Sequence, residues 1–179
     1  MPLFRLGFLV LLIAIVLSSL LPLPVAVTGE QSSTSTQTAQ PDPYKPLRLF
    51  IGKWKGESQG KPGVGSMERE YGFVLRDKFV QVKNKATYPP QEKNPKGEVH
   101  EDLGFFGYDR AAKKLTLRQF HVEGFVVHYS LESISEDGRS FVFTSTSIEN
   151  IGPGWVARET YRFVSDDEFI ETFALSSQG

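Results

Sequence analysis

Between residues 53 and 175 hydrophobic and polar positions alternate in short segments, a pattern that is typical of β-strands. Gly, Pro, Asp or Asn residues separate the segments at regular intervals, as in a meander of antiparallel strands. No segment has the length and the 3.6-residue periodicity of an amphipathic helix. The sequence therefore predicts an all-β, antiparallel up-and-down β-barrel of about nine strands, at residues 53–58, 66–75, 79–87, 98–108, 114–122, 125–133, 140–149, 155–164 and 168–175.

The first part of the chain has a different character. Arg5 precedes an almost uninterrupted apolar run at residues 6–21, and Pro22 and Pro24 lead from it into polar sequence. This layout predicts a signal peptide over residues 1–28 and export to the periplasm or the cell exterior. An uncleaved membrane anchor is the alternative, because the run approaches the roughly 20 residues that span a bilayer.

Residues 29–46 are rich in Ser, Thr, Gln and Pro and show no apolar periodicity. Such a segment cannot bury enough surface to fold, so it predicts a disordered linker. The barrel domain is then expected to occupy residues 47–179. A single helical turn at residues 47–50 would lead into the first strand and cover one end of the barrel.

Composition narrows the classes of function. The 179 residues include 14 Phe and 2 Met, which favours strands. The net charge is -1 and the 20 basic residues are scattered, so nucleic-acid binding is not expected. The sequence contains no Cys, and stability must therefore come from the burial of apolar side chains rather than from disulfides.

The hairpin around Glu123 and Gly124 predicts which side chains face the interior. A two-residue turn at these positions places Phe120 opposite Val127. Because side chains alternate across a sheet, one face then holds Phe120, Val122, Phe125, Val127, Tyr129 and Leu131 together with Thr116 and Arg118. This more apolar face is predicted to point inward, and the opposite face, which contains Leu115, Leu117, Gln119, His121, Val126, His128, Ser130 and Glu132, to point outward.

This register predicts a ligand-binding site formed by Arg118, Phe120, Val127 and Tyr129. A guanidinium group inside an apolar wall requires either a carboxylate partner or the anionic group of a ligand. The expected partner is therefore a small apolar or amphipathic molecule that can carry a negative charge. A membrane contact is expected only if the N-terminal segment stays uncleaved.

The histidines offer a possible metal site. His121 and His128 would lie diagonally on one face, at the ~7–8 Å typical of such neighbours, where Glu123 or Glu132 could complete the ligand set. Ordinary solvent-facing histidines are the simpler interpretation, because the opposite face is the more apolar one. No metal is therefore predicted.

Catalysis is the alternative from another class of function. His100 and Asp102 share one face of their strand, and a hydrolase or isomerase could use this pair. The sequence offers no Cys nucleophile and no Gly-x-Ser-x-Gly elbow. No catalytic residue is therefore assigned.

Two segments resemble the calycin group of ligand-binding barrels, which includes lipocalins and nitrobindin-like proteins. The first is Gly52-Lys-Trp54-Lys-Gly56, followed by Gly60 and Pro62, which is similar to the opening motif of both. The second begins at His100-Glu101 and continues to Gly104-Phe105, and it resembles the His-x-Glu-x-Gly stretch of nitrobindins with altered spacing. The stretch from Gly104 to Asp109 is also similar to bacterial lipocalin-like exported proteins. The likeness covers about residues 47–175.

The resemblance implies a particular structure at the barrel end. Trp54, between Gly52 and Gly56, is expected to be buried beneath Arg158 or Arg162 through a cation–π contact. Barrels of this kind often finish with one more strand, so closure here must use the first strand or remain partly open.

The resemblance to nitrobindins also implies haem, which those proteins hold through a histidine near the C-terminal end of the barrel. This chain has no histidine after His128. Haem would therefore have to be bound by His100, His121 or His128, and no cofactor is assigned.

Overall fold

The structure, a computed structural model, describes residues 42–177; the predicted signal peptide and most of the predicted linker lie outside them. A 3-10 helix, Lys45–Phe50, precedes the strands. The strands are β1 (Gly52–Gly60), β2 (Gly63–Val74), β3 (Phe79–Tyr88), β4 (Glu98–Asp109), β5 (Lys114–His121), β6 (Val126–Ile134), β7 (Ser140–Glu149), β8 (Trp155–Phe163) and β9 (Phe169–Ser177). The predicted all-β meander is confirmed, and every strand bound lies within three residues of the predicted one.

Each strand pairs antiparallel with the next, and the resulting sheet curls into a half-barrel with β1 and β9 as its edges. The two edges approach each other through side chains. The ring of Trp54 in β1 lies 4.8 Å from the ring of Phe169 in β9, and Arg69 in β2 contacts Glu171 in β9 at 2.6 Å. Within residues 42–177 the edges are thus joined by packing and an ion pair rather than by a backbone ladder.

The 3-10 helix fills the apolar part of the interior. Phe50, its last residue, is fully buried, and its ring centroid lies 4.8–6.0 Å from those of Tyr71, Phe106, Phe141, Tyr161, Phe163 and Phe169. Burial of one such side chain contributes roughly 1.5–3 kcal/mol. The predicted helical turn is therefore present, and it acts as an aromatic plug.

Order begins earlier in the chain than the sequence predicts. Tyr44 lies within the predicted linker, yet it is buried and packs edge-on against Phe73 with ring centroids 6.3 Å apart. Its hydroxyl also donates to the backbone carbonyl of Lys78 at 2.5 Å. The last residues of that segment therefore belong to the folded domain.

The predicted register of the β5–β6 hairpin is wrong by one residue. Gln119, rather than Phe120, lies opposite Val127. The loop has three residues instead of two, because the His121 amide donates to the Phe125 carbonyl and Gly124 adopts a φ of 88°, a conformation that favours glycine. A shift of one residue exchanges the two faces of a strand. In β5 the inward residues are consequently Leu115, Leu117, Gln119 and His121.

Candidate functional site

One inward residue from each of the strands β1 to β5 forms a continuous row across the sheet. Trp54 lies opposite Arg69, and Arg69 lies opposite Asn84. Asn84 in turn lies opposite Asp102, and Asp102 opposite His121. Residues directly opposite in a sheet have Cβ atoms about 4.5–5.5 Å apart, so these side chains form one surface. We call Arg69, Asn84, Asp102 and His121 the polar row.

The polar row lines a cavity of about 840 Å³. Trp54 also lines it, and the other lining residues are the chain neighbours of these five. Small-molecule sites in proteins typically measure about 300–1,000 Å³. The cavity therefore has the size of a ligand site, and its inward positions hold polar side chains where a filled barrel would hold apolar ones.

At one end of the row Arg69 forms a buried ion pair. Its terminal nitrogens contact both carboxylate oxygens of Glu171 at 2.6 Å, and Nη1 donates to the Tyr71 hydroxyl at 3.1 Å. Burial alone would lower the pKa of Arg69, but Glu171, together with Tyr71, Tyr161 and Glu159, outweighs burial and raises the pKa well above its usual range. The guanidinium therefore stays charged and has its counter-ion within the protein.

Glu159 adds a second carboxyl group beside this pair. Its side chain is fully enclosed, and burial, followed by the charge of Glu171, raises the pKa of Glu159 well above its usual range. Burial also raises the pKa of Glu171, although Arg69 opposes this shift. One guanidinium thus lies near two buried carboxyl groups, and the arrangement favours the protonated form of Glu159.

The centre of the row contains polar atoms without partners. Asn84 donates through Nδ2 to Oδ2 of Asp102 at 2.6 Å. Among the described residues, no hydrogen-bond partner exists for Oδ1 of Asn84, Oδ1 of Asp102, Oε1 of Gln119 or either ring nitrogen of His121. An unpartnered buried polar group costs about 1–3 kcal/mol. Three of the residues that carry these atoms, Asn84, Asp102 and His121, line the cavity.

At the other end of the row His121 and His100 lie close together. The ring of His121 stacks on Phe125 with centroids 4.1 Å apart, and burial lowers the pKa of His121. His100 directs Nε2 toward Oδ2 of Asp102 at 3.7 Å, while its Nδ1 lies 2.7 Å from Oε1 of Glu123. The structure therefore brings His100 and Asp102 together, as their shared strand face predicts, and adds His121 to them.

The four predicted ligand-binding residues divide between the two faces of the sheet. Val127 and Tyr129 point inward and are buried in the core. Arg118 is exposed and lies opposite His128 on the outer face, and Phe120 is 45% exposed. The prediction that Arg118 and Phe120 face the interior is therefore wrong, because the three-residue loop shifts the register.

His128 also departs from its predicted position beside His121. It lies on the outer face, where its Nε2 is 2.6 Å from Oε1 of Glu149. The two histidines therefore do not share a face, and the diagonal pair considered for metal binding does not form.

At the barrel end Trp54 is half-buried between Gly52 and Gly56 of β1. Its Nε1 donates to the carbonyl oxygen of Phe50 at 2.6 Å, and its ring packs edge-on against Phe163 and Phe169. Aromatic side chains from β8 and β9 therefore cover this tryptophan.

The arginines that were expected to cover Trp54 lie elsewhere. Arg158 and Arg162 are exposed, and Arg158 pairs with Glu132 at 3.2 Å on the outer face. The prediction of a cation–π contact is wrong. Side chains alternate along β8, so Arg158 and Arg162 point outward while Tyr161 and Phe163 point inward.

Sequence reasoning missed the charged residues that do lie inside. Arg69 lies on the same face of β2 as Tyr71 and Phe73. Glu159 likewise lies on the same face of β8 as Tyr161 and Phe163. A charged residue at an apolar position of a strand is therefore the signal that could have found them. Asn84 has the same relation to Val80 and Val82 in β3.

Within residues 42–177, no helix combines the length and the apolar character that a membrane crossing requires. No protein-family model matches the chain, and none of the curated proteins compared with it shows significant similarity.

Proposed function

We propose that this protein binds a small molecule in the cavity of its half-barrel, with the polar row as the contact surface. The observation that carries the proposal is the group of buried, unpartnered polar atoms on Asn84, Asp102 and His121 around a cavity of about 840 Å³. A ligand that hydrogen-bonds to these atoms would remove the cost of leaving them unpaired. Such a ligand would therefore gain both affinity and orientation from the row.

The charged side chains on the inner face of the sheet favour a neutral or cationic ligand over an anionic one. Arg69 is already paired with Glu171, and Asp102 adds a further acidic side chain to the cavity wall. An anion would have to displace Glu171 and approach Asp102. The expectation of an anionic ligand depended on Arg118, which lies on the outer face.

The position of the cavity also limits the ligand. Phe50 and the rings around it fill the apolar part of the interior, so the ligand is expected at the polar row. Trp54 offers an apolar surface beside the row. The best candidate is therefore an amphipathic molecule with hydrogen-bond donors at its polar end. A haem group fits these residues poorly, because Arg69, Asn84 and Asp102 stand where an apolar macrocycle would need apolar walls.

We also propose that the protein is exported, and the support is the sequence layout alone. The apolar run at 6–21 follows Arg5 and precedes a polar segment, as in a signal peptide. A binding protein of this kind would then meet its ligand in the periplasm or outside the cell.

The proposal is tested by mass spectrometry of small molecules extracted from natively purified protein. We expect one reproducible species in near-stoichiometric amount from the unaltered chain. Asn84→Leu keeps the branched shape of the side chain and removes its hydrogen bonds, so it should abolish retention of that species. Gln81→Leu, on the opposite face of β3, is the matched control and should retain it.

Two results would contradict the proposal. The first is the absence of any bound species from protein that is folded by circular dichroism. The second is equal retention by Asn84→Leu and Gln81→Leu, which would remove the polar row from the binding site.

A further inference from the structure

His100, Asp102 and His121 form a compact cluster of metal-ligating side chains at one end of the polar row. Each offers one ligand atom, and these atoms all lie within 4.8 Å of one another. His100 and Asp102 are two positions apart on β4, and Asp102 lies opposite His121 on β5, so strand pairing itself assembles the cluster. Bonds to Zn²⁺ of about 2.0–2.2 Å would hold such atoms about 3.3 Å apart, which requires a contraction of up to about 1.5 Å.

The surroundings of the cluster resemble the supporting shell of a metal site. The 2.7 Å contact between Nδ1 of His100 and Glu123 is satisfied when Nδ1 carries the proton, which leaves the lone pair on Nε2. That nitrogen faces Oδ2 of Asp102, and Asn84 donates to the same oxygen at 2.6 Å. Carboxylates and amides in these positions orient the ligands of protein-bound metals.

A second, independent observation also points to a bound ion. Neither ring nitrogen of His121 has a hydrogen-bond partner among the described residues, although both atoms are buried. Buried polar side chains in proteins are almost always hydrogen-bonded, and a histidine that served only to fill the core would donate its N–H to a neighbour. Oδ1 of Asp102 is also buried without a hydrogen-bond partner among the described residues. A metal ion would give one ring nitrogen of His121 and this carboxylate oxygen their missing partner.

We propose that His100, Asp102 and His121 bind a divalent first-row transition-metal ion of the Zn²⁺ class. Two imidazoles and one carboxylate suit these ions, whereas Ca²⁺ and Mg²⁺ require mainly oxygen ligands. Three protein ligands leave at least one coordination position open. That position would face the cavity, where a donor atom of a small molecule can complete the coordination.

A second cluster of metal-ligating side chains must be distinguished from the proposed site. Glu98, His100 and Glu123 also bring their ligand atoms within 4.8 Å, but both glutamates are exposed. The two clusters share His100. They differ in imidazole content, because only the proposed site includes a second histidine, and in burial, because only the proposed site includes the enclosed carboxylate of Asp102.

The test uses the full chain without a histidine tag, titrated with Zn²⁺ in a calorimeter. We expect one ion per chain. His121→Phe preserves the stacking on Phe125 and removes the ligand, and Asp102→Asn removes the charge, so each should weaken binding by at least about 100-fold, more than the 10–100-fold loss from a supporting residue. His128→Gln and Glu98→Gln, which change a histidine and an acid outside the cluster, should bind as the unaltered protein does.

X-ray absorption of the Zn²⁺-loaded, unaltered protein keeps the test decisive if a variant fails to fold. The proposal requires scattering from two imidazole ligands, whereas the exposed cluster can supply only one. The proposal is overturned if the unaltered protein binds no stoichiometric Zn²⁺. It is equally overturned if folded His121→Phe binds normally or if the spectrum shows fewer than two imidazoles. Asn84→Leu leaves all three ligands in place and removes only a supporting hydrogen bond, so Zn²⁺ binding should weaken by no more than about 10–100-fold. Loss of the extracted small molecule and loss of the metal are therefore separately observable.

Discussion

Arg69 and Glu171 meet inside the half-barrel with a nitrogen–oxygen distance of 2.6 Å, although 102 residues separate them in the chain. Their side chains are 5% and 12% exposed. The pair links β2 to β9, the last strand of the sheet, and Arg69 is itself a member of the polar row. The same ion pair therefore holds β9 against β2 and fixes the position of Arg69 in the candidate site.

The free energy of unfolding should depend strongly on this pair. Arg69→Met leaves the buried carboxylate of Glu171 without a counter-ion, a change that typically costs about 3–5 kcal/mol. Arg158→Met is the matched control, because Arg158 pairs with Glu132 on the exposed face and such pairs contribute about 0–1 kcal/mol. Urea denaturation of both variants measures the difference. Equal losses would show that the interior pair does not contribute as described.

Glu159 should make the stability depend on pH. Its pKa is raised above the ordinary 4.5 in the folded protein, so the folded state binds more protons than the unfolded state above that pH. The resulting stabilisation is complete below pH 4.5 and is lost as the pH rises toward the folded-state pKa. Glu159→Gln removes this titration while Arg69, Glu171 and Asp102 stay in place.

We therefore expect Glu159→Gln to melt at a higher temperature than the unaltered protein at pH 8 and to show no such advantage at pH 4. For each pH unit between 4.5 and the folded-state pKa of Glu159, the unaltered protein loses up to about 1.4 kcal/mol of unfolding free energy. Melting curves from pH 4 to pH 8 measure the effect, with the exposed Glu57→Gln as the control. A pH-independent difference between Glu159→Gln and the unaltered protein would contradict the burial of a protonated Glu159.

The aromatic plug should contribute more than the tryptophan beside it. Phe50 is fully buried among six rings, whereas Trp54 is only half-buried. We expect Phe50→Ala to lower the free energy of unfolding by about 3–5 kcal/mol, as truncation of a core aromatic residue does. Trp54→Ala should lower it by less. Chemical denaturation of both variants checks the order, and a larger loss in Trp54→Ala would show that the barrel end depends on the tryptophan instead.

The N-terminal segment should be removed on export. N-terminal sequencing of protein from the envelope fraction is expected to begin near residue 29, after the predicted signal peptide. An intact apolar run at 6–21 in the membrane fraction would instead establish an anchor.

The strands could be predicted because their signals are local. In the segments that became β3 and β7, alternation and flanking turn residues identify the strand without knowledge of its neighbours. The face of β5 could not be predicted in the same way, because it depends on one additional loop residue before Gly124. Phe120 looked like a core residue, but it packs against Phe105 on the outer face with ring centroids 6.5 Å apart.

The candidate site was harder to predict than the fold. The polar row exists only because three successive hairpin registers align Arg69, Asn84, Asp102 and His121, and an error of one residue in any hairpin removes a member from the row. His100 and Asp102 were found together because they share one strand. Arg69 and Glu171 lie on distant strands, and no local pattern relates them.

The most direct test of small-molecule binding is a crystal structure of natively purified, full-chain protein to which no ligand has been added. We expect electron density for a non-protein molecule in the cavity, with at least one of its polar atoms within about 3.2 Å of the side chain of Asn84 or Asp102. A cavity that holds only water, or one closed by rearranged side chains of the polar row, would contradict the account.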